Sequence, residues 1–224
     1  MNARQLVFDL PVRPALGRED FLVAPCNREA LAWIDRWPDW PQHALALAGP
    51  EGCGKTHLAH VWRASSGALL LDAGALDEAS LAHLSEVAVI VEDADRRLGS
   101  ERALLHLFNM LRERGGHLLL TGREAPARWT VRLPDLASRL NALPVAAVRP
   151  PDEALIGALL VKLLADRQVR VGEEVLAWLL PRMERSFAFA RRLVAALDDA
   201  ALSRRRNISV SLAREILQHL APEE

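Results

Sequence analysis

Short apolar runs alternate with longer amphipathic stretches over the first two thirds of the chain. The runs contain almost no charged residues, which is typical of strands that are buried on both faces of a parallel sheet. They lie at residues 44–48, 68–71, 87–91, 117–121 and 143–148. The stretches between them have the spacing of helices. This alternation predicts an α/β fold with a five-stranded parallel sheet.

Polar residues mark where the intervening helices begin. We expect Asn27 to cap a helix that reaches Trp37, where nearby prolines end it. Asp77 is expected to cap a further helix, and Ser100 a long amphipathic helix that stops at Gly115. The apolar runs and the capped helices therefore follow each other in the order that parallel sheets require.

The pattern changes at Arg149-Pro150-Pro151, because successive prolines cannot continue a strand or a helix. After this point strand-like runs are no longer found, and helices are predicted at residues 152–167, 173–183, 186–203 and 209–220. We therefore divide the chain into an N-terminal arm (1–15), an α/β domain (16–149) and a small helical domain (150–224).

Composition restricts the class of protein. The chain has 224 residues, of which 50% are hydrophobic and 25% charged, and this is typical of folded globular domains. Its formal net charge of −1 provides no global positive field that would attract nucleic acid. The two cysteines, Cys26 and Cys53, predict no disulfide, and we expect a cytoplasmic protein. No apolar stretch is long enough for a membrane span, so no membrane partner is expected.

A phosphate-binding loop follows the first predicted strand and precedes a helix predicted over residues 55–65. Its residues match G-x-x-x-x-G-K-[ST] and are Gly49, Pro50, Glu51, Gly52, Cys53, Gly54, Lys55 and Thr56. The glycines let backbone N–H groups converge on phosphate oxygens, Lys55 neutralises phosphate charge, and the Thr56 hydroxyl can bind Mg²⁺. The motif therefore predicts a site for ADP or ATP with Mg²⁺.

Two adjacent carboxylates, Glu92 and Asp93, end the third predicted strand. An acidic pair in this position is typical of Mg-nucleotide sites, where the first acid holds the metal and its water shell and the second polarises the attacking water. A glutamate in the first place shifts its carboxylate by about one bond length, and such a shift can cost a factor of about 10² in rate. We therefore expect tight binding and slow intrinsic hydrolysis, with an ordinary solvated turn as the alternative.

Five stretches spread over nearly the whole chain agree with one family pattern. They are Phe21-Leu22-Val23 with Asn27, Gly54-Lys55-Thr56-His57-Leu58, Thr121-Gly122-Arg123-Glu124-Ala125-Pro126, Leu136-Ala137-Ser138-Arg139-Leu140, and Arg191-Arg192-Leu193. Together they resemble the DnaA-related AAA+ family of replication proteins. The resemblance implies a P-loop AAA+ core followed by a helical lid domain.

The resemblance also implies roles for individual residues. His57 would belong to the nucleotide site, Thr121 would touch the γ-phosphate or the catalytic water, and Arg139 would be an arginine finger for a neighbour's nucleotide. Arg191 would be the lid cation that senses nucleotide, with Arg192 as the alternative. The family's initiator carries a DNA-binding domain after its lid, whereas this chain ends just past its last predicted lid helix. No sequence-specific DNA binding is therefore expected.

The N-terminal arm resembles the glutamine-led peptides that bacterial proteins insert into the DNA polymerase III sliding clamp. Gln5 would hydrogen-bond in a polar pocket, while Leu6, Phe8 and Leu10 would be the apolar anchors. The alternative is an arm that folds back on its own sheet.

Taken together, the resemblance implies a negative regulator of replication initiation. Tethered to the clamp, it would stimulate ATP hydrolysis on DnaA through Arg139 and work as a homodimer or higher oligomer. A second hypothesis is an autonomous AAA+ motor or loader ATPase that remodels another replication protein by its own turnover. A third is an adaptor that binds nucleotide for structure alone.

Overall fold

The computed structural model describes residues 21–204 and 207–220. Its centre is a five-stranded parallel sheet with the strand order β2-β3-β4-β1-β5. The strands are β1 Ala44–Ala48, β2 Leu69–Asp72, β3 Ala88–Glu92, β4 His117–Gly122 and β5 Val145–Ala147. The predicted α/β fold with a five-stranded parallel sheet is thus confirmed. The predicted clamp peptide, Gln5, Leu6, Phe8 and Leu10, lies outside the described residues.

Helices cover both faces of the sheet and form the C-terminal part of the chain. Their bounds are α1 Arg28–Asp35, α2 Lys55–Ser66, α3 Glu78–Leu81, α4 Glu101–Glu113, α5 Pro134–Asn141, α6 Glu153–Asp166, α7 Glu173–Leu179, α8 Phe187–Arg204 and α9 Val210–Leu220. Within the described ranges, no helix is long and apolar enough to cross a lipid bilayer.

Side chains of the strands alternate between two cores, because successive residues of a strand point to opposite faces. On one face Val89 and Leu120 pack with α4 and α5, for example with Leu107 and Leu136. On the other face strand residues such as Ile90 pack with α1 and α2. This double burial explains why the strands read as continuous apolar runs.

Most of the predicted caps form, but Asn27 does not cap α1. Ser100 Oγ accepts a hydrogen bond from Ala103 N at 3.1 Å, as predicted. Asn27 occupies the N-cap position of α1 without a capping bond from its side chain. Its Oδ1 instead accepts from Ala24 N at 2.9 Å, and its Nδ2 donates to Leu22 O at 2.8 Å. Asn27 therefore fixes the segment before the helix, and α1 itself ends at Asp35, short of the predicted Trp37.

The C-terminal helices α6 to α9 surround a third core of their own, which includes Leu160, Leu193 and Leu212. An isolated parallel bridge joins Val171 to Ile208 within this part, although the sequence predicted helices alone. We refer to residues 153–220, apart from the two undescribed residues within them, as the lid.

Candidate nucleotide-binding site

The phosphate-binding loop lies between β1 and α2 at the carboxyl end of the sheet. Gly52 and Gly54 adopt φ angles of +74° and +107°, in the region that side chains rarely tolerate. These two positive φ angles turn the chain sharply into the first turn of α2, which begins at Lys55. A helix N-terminus reached through such a loop is a favourable place for phosphate oxygens.

Lys55 is buried, with only 8% of its surface exposed. Its Nζ donates to the carbonyl oxygens of Gly49 at 2.7 Å and of Pro50 at 2.9 Å. Cys53 is buried against the sheet, and this burial raises the pKa of its thiol, so the thiol stays neutral. Cys53 therefore packs the loop against the core, while Lys55 supplies the loop's positive charge.

A cavity of about 310 Å³ opens beside the loop and is large enough for a nucleotide. Its lining includes many of the residues predicted for the site: Glu51, Gly52, Gly54, Lys55, Thr56, His57, Asp93 and Arg191. Three predicted residues of the loop, Gly49, Pro50 and Cys53, do not line the cavity. Three predicted residues from other elements, Glu92, Thr121 and Arg139, do not line it either.

The N-terminus of lid helix α8 rests directly on the loop. Phe187 N donates to Gly52 O at 3.0 Å, and a Cβ added to Gly52 would lie 2.5 Å from Ser186 Cβ. The Phe187 ring lies beside Gly54 in the same way, 3.1 Å from the Cβ that a larger residue would carry. The lid and the phosphate-binding loop therefore form one continuous wall of the cavity.

The lid contributes Arg191 to the cavity. Burial lowers the pKa of Arg191, and among the described residues it has no carboxylate partner. Such a desolvated cation favours an anionic ligand. Arg192 points elsewhere, with its guanidinium 5.5 Å from the centre of the Phe189 ring. Of the two lid arginines that the sequence left open, the structure brings Arg191 to the cavity.

The two acids of the pair line different cavities in part: Asp93 lines two neighbouring cavities and Glu92 lines one of them. Asp93 lines the cavity beside the phosphate-binding loop, together with Thr56. Glu92 lines the neighbouring cavity together with Asp93 and Asp72, and its Oε1 is buried there without a hydrogen-bond partner in the described chain. Thr56 and Glu92 thus line different cavities that share Asp93, and a metal ion held by both residues stays a prediction. Asp93, at φ +52° just past β3, is the carboxylate that faces the loop.

Thr121 holds Asp93 in place. Its side chain is 2% exposed, and its Oγ1 accepts a hydrogen bond from Asp93 N at 3.1 Å. Its carbonyl oxygen accepts a second bond from Ala94 N at 2.9 Å. A contact between Thr121 and phosphate remains a prediction, whereas its contact with the Asp93 turn is present in the structure.

Arg139 lies on α5, outside the lining of its own nucleotide cavity. Its side chain is half-buried, and its Nε has no hydrogen-bond partner in the part of the chain that the structure describes. No group of three or more His, Cys, Asp or Glu side chains within residues 21–204 and 207–220 is arranged to hold a metal ion by itself.

Two further cations, Arg96 and Arg123, line the cavity and were not predicted. Each follows the end of a strand, β3 or β4, and the carboxyl ends of parallel strands meet at one edge of the sheet. Asp95 fixes Arg123, because its Oδ2 accepts from Arg123 N at 2.6 Å. With Lys55 and Arg191, these arginines give the lining four cations against two carboxylates, a balance that favours a polyphosphate.

The other end of the cavity is apolar. Phe21 and Leu22 line it, and the Phe21 ring lies edge-on to His57 with 5.1 Å between the ring centres. Asn27 holds this segment through its bond to Leu22 O. An apolar end and a cationic end suit the base and the phosphates of a nucleotide, respectively.

No protein-family model matches the chain. Among solved structures, domain III of the Thermotoga maritima replication initiation protein DnaA is similar over 96% of this chain and 100% of that one, with a TM-score of 0.77 and 19% identity. AMPPCP-bound DnaA from Aquifex aeolicus is similar over 86% of this chain and 70% of that one, with a TM-score of 0.68 and 17% identity.

The Holliday junction branch migration motor RuvB of Thermotoga maritima shares the architecture too. It is similar over 79% of this chain and 61% of that one, with a TM-score of 0.61 and 16% identity. At these identities the comparisons establish the fold. The chain shares the α/β core and helical C-terminal part of these structures.

Proposed function

We propose that this chain is a nucleotide-dependent negative regulator of replication initiation, of the type represented by Hda, the regulatory inactivator of DnaA. It binds the sliding clamp through its N-terminal arm and stimulates ATP hydrolysis on DnaA through Arg139. The product of that reaction is DnaA-bound ADP. The chain's own nucleotide site acts mainly as a conformational switch.

The composition of the cavity supports ADP or ATP as the ligand. Lys55 and Arg191 would bind the phosphates, and the apolar end at Phe21 would hold the base. Thr56 and Asp93 offer a hydroxyl and a carboxylate oxygen in one cavity, which is the donor chemistry that Mg²⁺ prefers when nucleotide phosphates supply its other ligands. Mg²⁺ in that place would neutralise phosphate charge.

The observation that carries the proposal is the position of Arg139. This half-buried arginine lies on α5, does not line its own cavity, and has a buried Nε without a hydrogen-bond partner in the described chain. An arginine placed away from its own nucleotide can complete the site of a neighbouring subunit. When such a finger meets the charge that develops on the transferred phosphoryl group, it accelerates hydrolysis by about 10³–10⁵.

The arrangement of the acidic pair supports slow turnover of the chain's own nucleotide. Glu92 occupies the strand-end position where a metal-binding acid is expected, but it lines the neighbouring cavity. Only Asp93 then faces the phosphate-binding loop. The hydrogen bond from Phe187 N to Gly52 O connects the phosphate-binding loop to the lid. A change of the bound nucleotide would therefore change the position of the lid, and with it the surface of the chain that contacts DnaA.

The partner assignments rest on the sequence and on the fold. Gln5, Leu6, Phe8 and Leu10 support clamp binding by their resemblance to clamp peptides. The similarity to the AMPPCP-bound DnaA structure supports pairing with DnaA, because domains of like fold can place one subunit's arginine at another's nucleotide. The same surfaces would join copies of this chain in a homodimer or higher oligomer.

The test follows ATP that is bound to DnaA, in the presence of DNA-loaded clamp. Arg139→Ala should abolish the stimulation, by about 10³-fold if the finger is fully engaged. Arg132→Ala is the matched control, because Arg132 is an exposed arginine on the approach to the same helix and should retain full stimulation. Equal hydrolysis with wild-type and Arg139→Ala protein would contradict the assignment.

The likeness to RuvB, a branch migration motor, favours a second candidate: an autonomous AAA+ motor or loader. A motor must turn over its own nucleotide rapidly, whereas the switch proposed here retains it. Replacing Asp93 with asparagine would abolish the work of a motor. In the switch it should leave the stimulation of DnaA largely intact.

A further inference from the structure

An ion pair crosses the mouth of the nucleotide cavity. It joins Arg123 Nη2, just past β4, to Glu51 Oε2 in the phosphate-binding loop. Both residues line the cavity. Glu51 therefore places a carboxylate where the loop otherwise gathers positive charge for phosphate.

The backbone around Arg123 is firmly held. Asp95 Oδ2 accepts from Arg123 N at 2.6 Å, and β4 pairs with β1 up to Gly122 and Ala48. Gly49 N then donates to Gly122 O at 3.2 Å, so the loop after β4 runs beside the phosphate-binding loop. The backbone of Arg123 is thus fixed next to the loop, and only the Arg123 side chain is free to change its ion-pair partner.

The strand order places Arg123 at the phosphate end of the cavity. The apolar end is formed by residues before α1, which packs beside β5, the strand on one side of β1. Arg123 and Arg96 follow β4 and β3, on the other side of β1. A nucleotide whose base lies at Phe21 and whose phosphates follow the loop would therefore extend its last phosphate toward these arginines.

The ion pair between Glu51 and Arg123 is weak. The two side chains are 77% and 39% exposed, and ion pairs in solvent contribute little free energy. A phosphate oxygen that is partly enclosed by the cavity is the stronger acceptor for a guanidinium. A terminal phosphate can therefore replace the carboxylate, whereas a diphosphate need not disturb the pair.

We propose that Glu51 competes with the γ-phosphate for Arg123, and that this pair sets the preference of the site between nucleoside di- and triphosphates. Arg123 is the specificity-determining residue, and Glu51 biases the free site toward ADP. This inference rests on nucleotide binding at the phosphate-binding loop as proposed above. The nucleotide state of the chain would then depend on whether Arg123 binds Glu51 or the γ-phosphate.

Equilibrium binding of fluorescent ADP and of a fluorescent non-hydrolysable ATP analogue to the full chain tests the inference. Glu51→Gln should tighten triphosphate binding by about three- to tenfold and leave the diphosphate unchanged. Arg123→Ala should weaken triphosphate binding by about tenfold, with less than about a twofold effect on the diphosphate. In the double variant, Glu51→Gln should no longer have an effect, because Arg123, the partner for which Glu51 and the γ-phosphate compete, is gone.

Arg128 and Glu124 provide the control, since they form an exposed ion pair of the same type at 3.2 Å outside the cavity lining. Arg128→Ala should change neither affinity. If Glu51→Gln and Arg123→Ala leave the ratio of the two affinities unchanged while the wild type binds nucleotide, the inference is overturned and the proposed function is not. If the wild type binds neither nucleotide, or Lys55→Ala binds as well as wild type, both are overturned.

Discussion

Replacing Gly52 with alanine tests whether the lid is seated on the phosphate-binding loop in solution. Gly52 has φ +74°, and an added Cβ would lie 2.5 Å from Ser186 Cβ and 3.0 Å from Ser186 Oγ. Gly67 has nearly the same φ, +68°, but nothing lies within 4 Å of its added Cβ. The two glycines therefore differ in the contact with the lid and scarcely in φ.

The difference between the two variants isolates that contact. An alanine in the left-handed region costs about 1–2 kcal/mol at either position. The loss of unfolded-state entropy that accompanies any glycine-to-alanine change is the same for both and cancels. The clash with Ser186 adds a further cost of about 1–3 kcal/mol at position 52 alone, as in overpacked cores.

Urea denaturation of the wild type and of the two variants, Gly52→Ala and Gly67→Ala, measures how much free energy of unfolding each variant loses. We expect Gly52→Ala to be less stable than Gly67→Ala by about 1–3 kcal/mol, and to lose nucleotide affinity that Gly67→Ala retains. If the two variants lose equal stability and bind nucleotide equally, Ser186 does not contact the loop in solution. The continuous wall of loop and lid would then be refuted.

Three further predictions concern single side chains. Arg191→Ala should weaken nucleotide binding by about tenfold or more and Arg192→Ala by less than about twofold, measured as dissociation constants, because only the former lines the cavity. Asn27→Ala should lower the free energy of unfolding by about 2–3 kcal/mol, since one buried and one partly buried backbone group lose their partner, whereas the exposed Asn141→Ala should cost less than about 0.5 kcal/mol in the same urea titration. Burial lowers the pKa of His117 below the ordinary 6.5, so the unfolded chain binds more protons in that range and stability should fall as the pH decreases below about 6.5; His117→Gln should reduce that fall, and an unchanged pH dependence of unfolding would contradict it.

Local sequence signals predicted the sheet well, because each strand is buried on both faces and reads as a continuous apolar run. The phosphate-binding loop was predicted equally well, since its glycines and Lys55 form a contiguous motif. The isolated bridge between Val171 and Ile208 lacked such a signal, because a single pair of residues leaves no periodic pattern.

The missed features of the site depend on contacts between distant parts of the chain. Asn27 was predicted to cap the helix after it, but it bonds to the residues before it, and either choice fits a local pattern. Arg123 reaches the cavity because β4 lies beside β1, an adjacency that strand order alone determines. An arginine within four positions of the end of a buried strand is the signal that could have marked both Arg96 and Arg123.

Which of the two acids lines the cavity beside the phosphate-binding loop could not be predicted from the sequence either. Glu92 and Asp93 are adjacent, but Asp93 takes φ +52° just after the strand ends, and only it lines the cavity beside the phosphate-binding loop. The turn depends on Thr121, which lies on another strand and binds Asp93 N. The sequence pattern therefore identified the two acids, while a contact with the neighbouring strand β4 fixes which of them lines the cavity beside the phosphate-binding loop.

The most direct test of the proposed function is the fate of labelled ATP that is bound to DnaA alone, with the wild-type chain and DNA-loaded clamp added. We expect labelled ADP to form on DnaA at least about 100-fold faster than without the chain, while the chain's own ATP turnover without DnaA stays slow. Unchanged hydrolysis on DnaA, together with fast turnover by the chain alone, would contradict the proposed function and favour an autonomous motor.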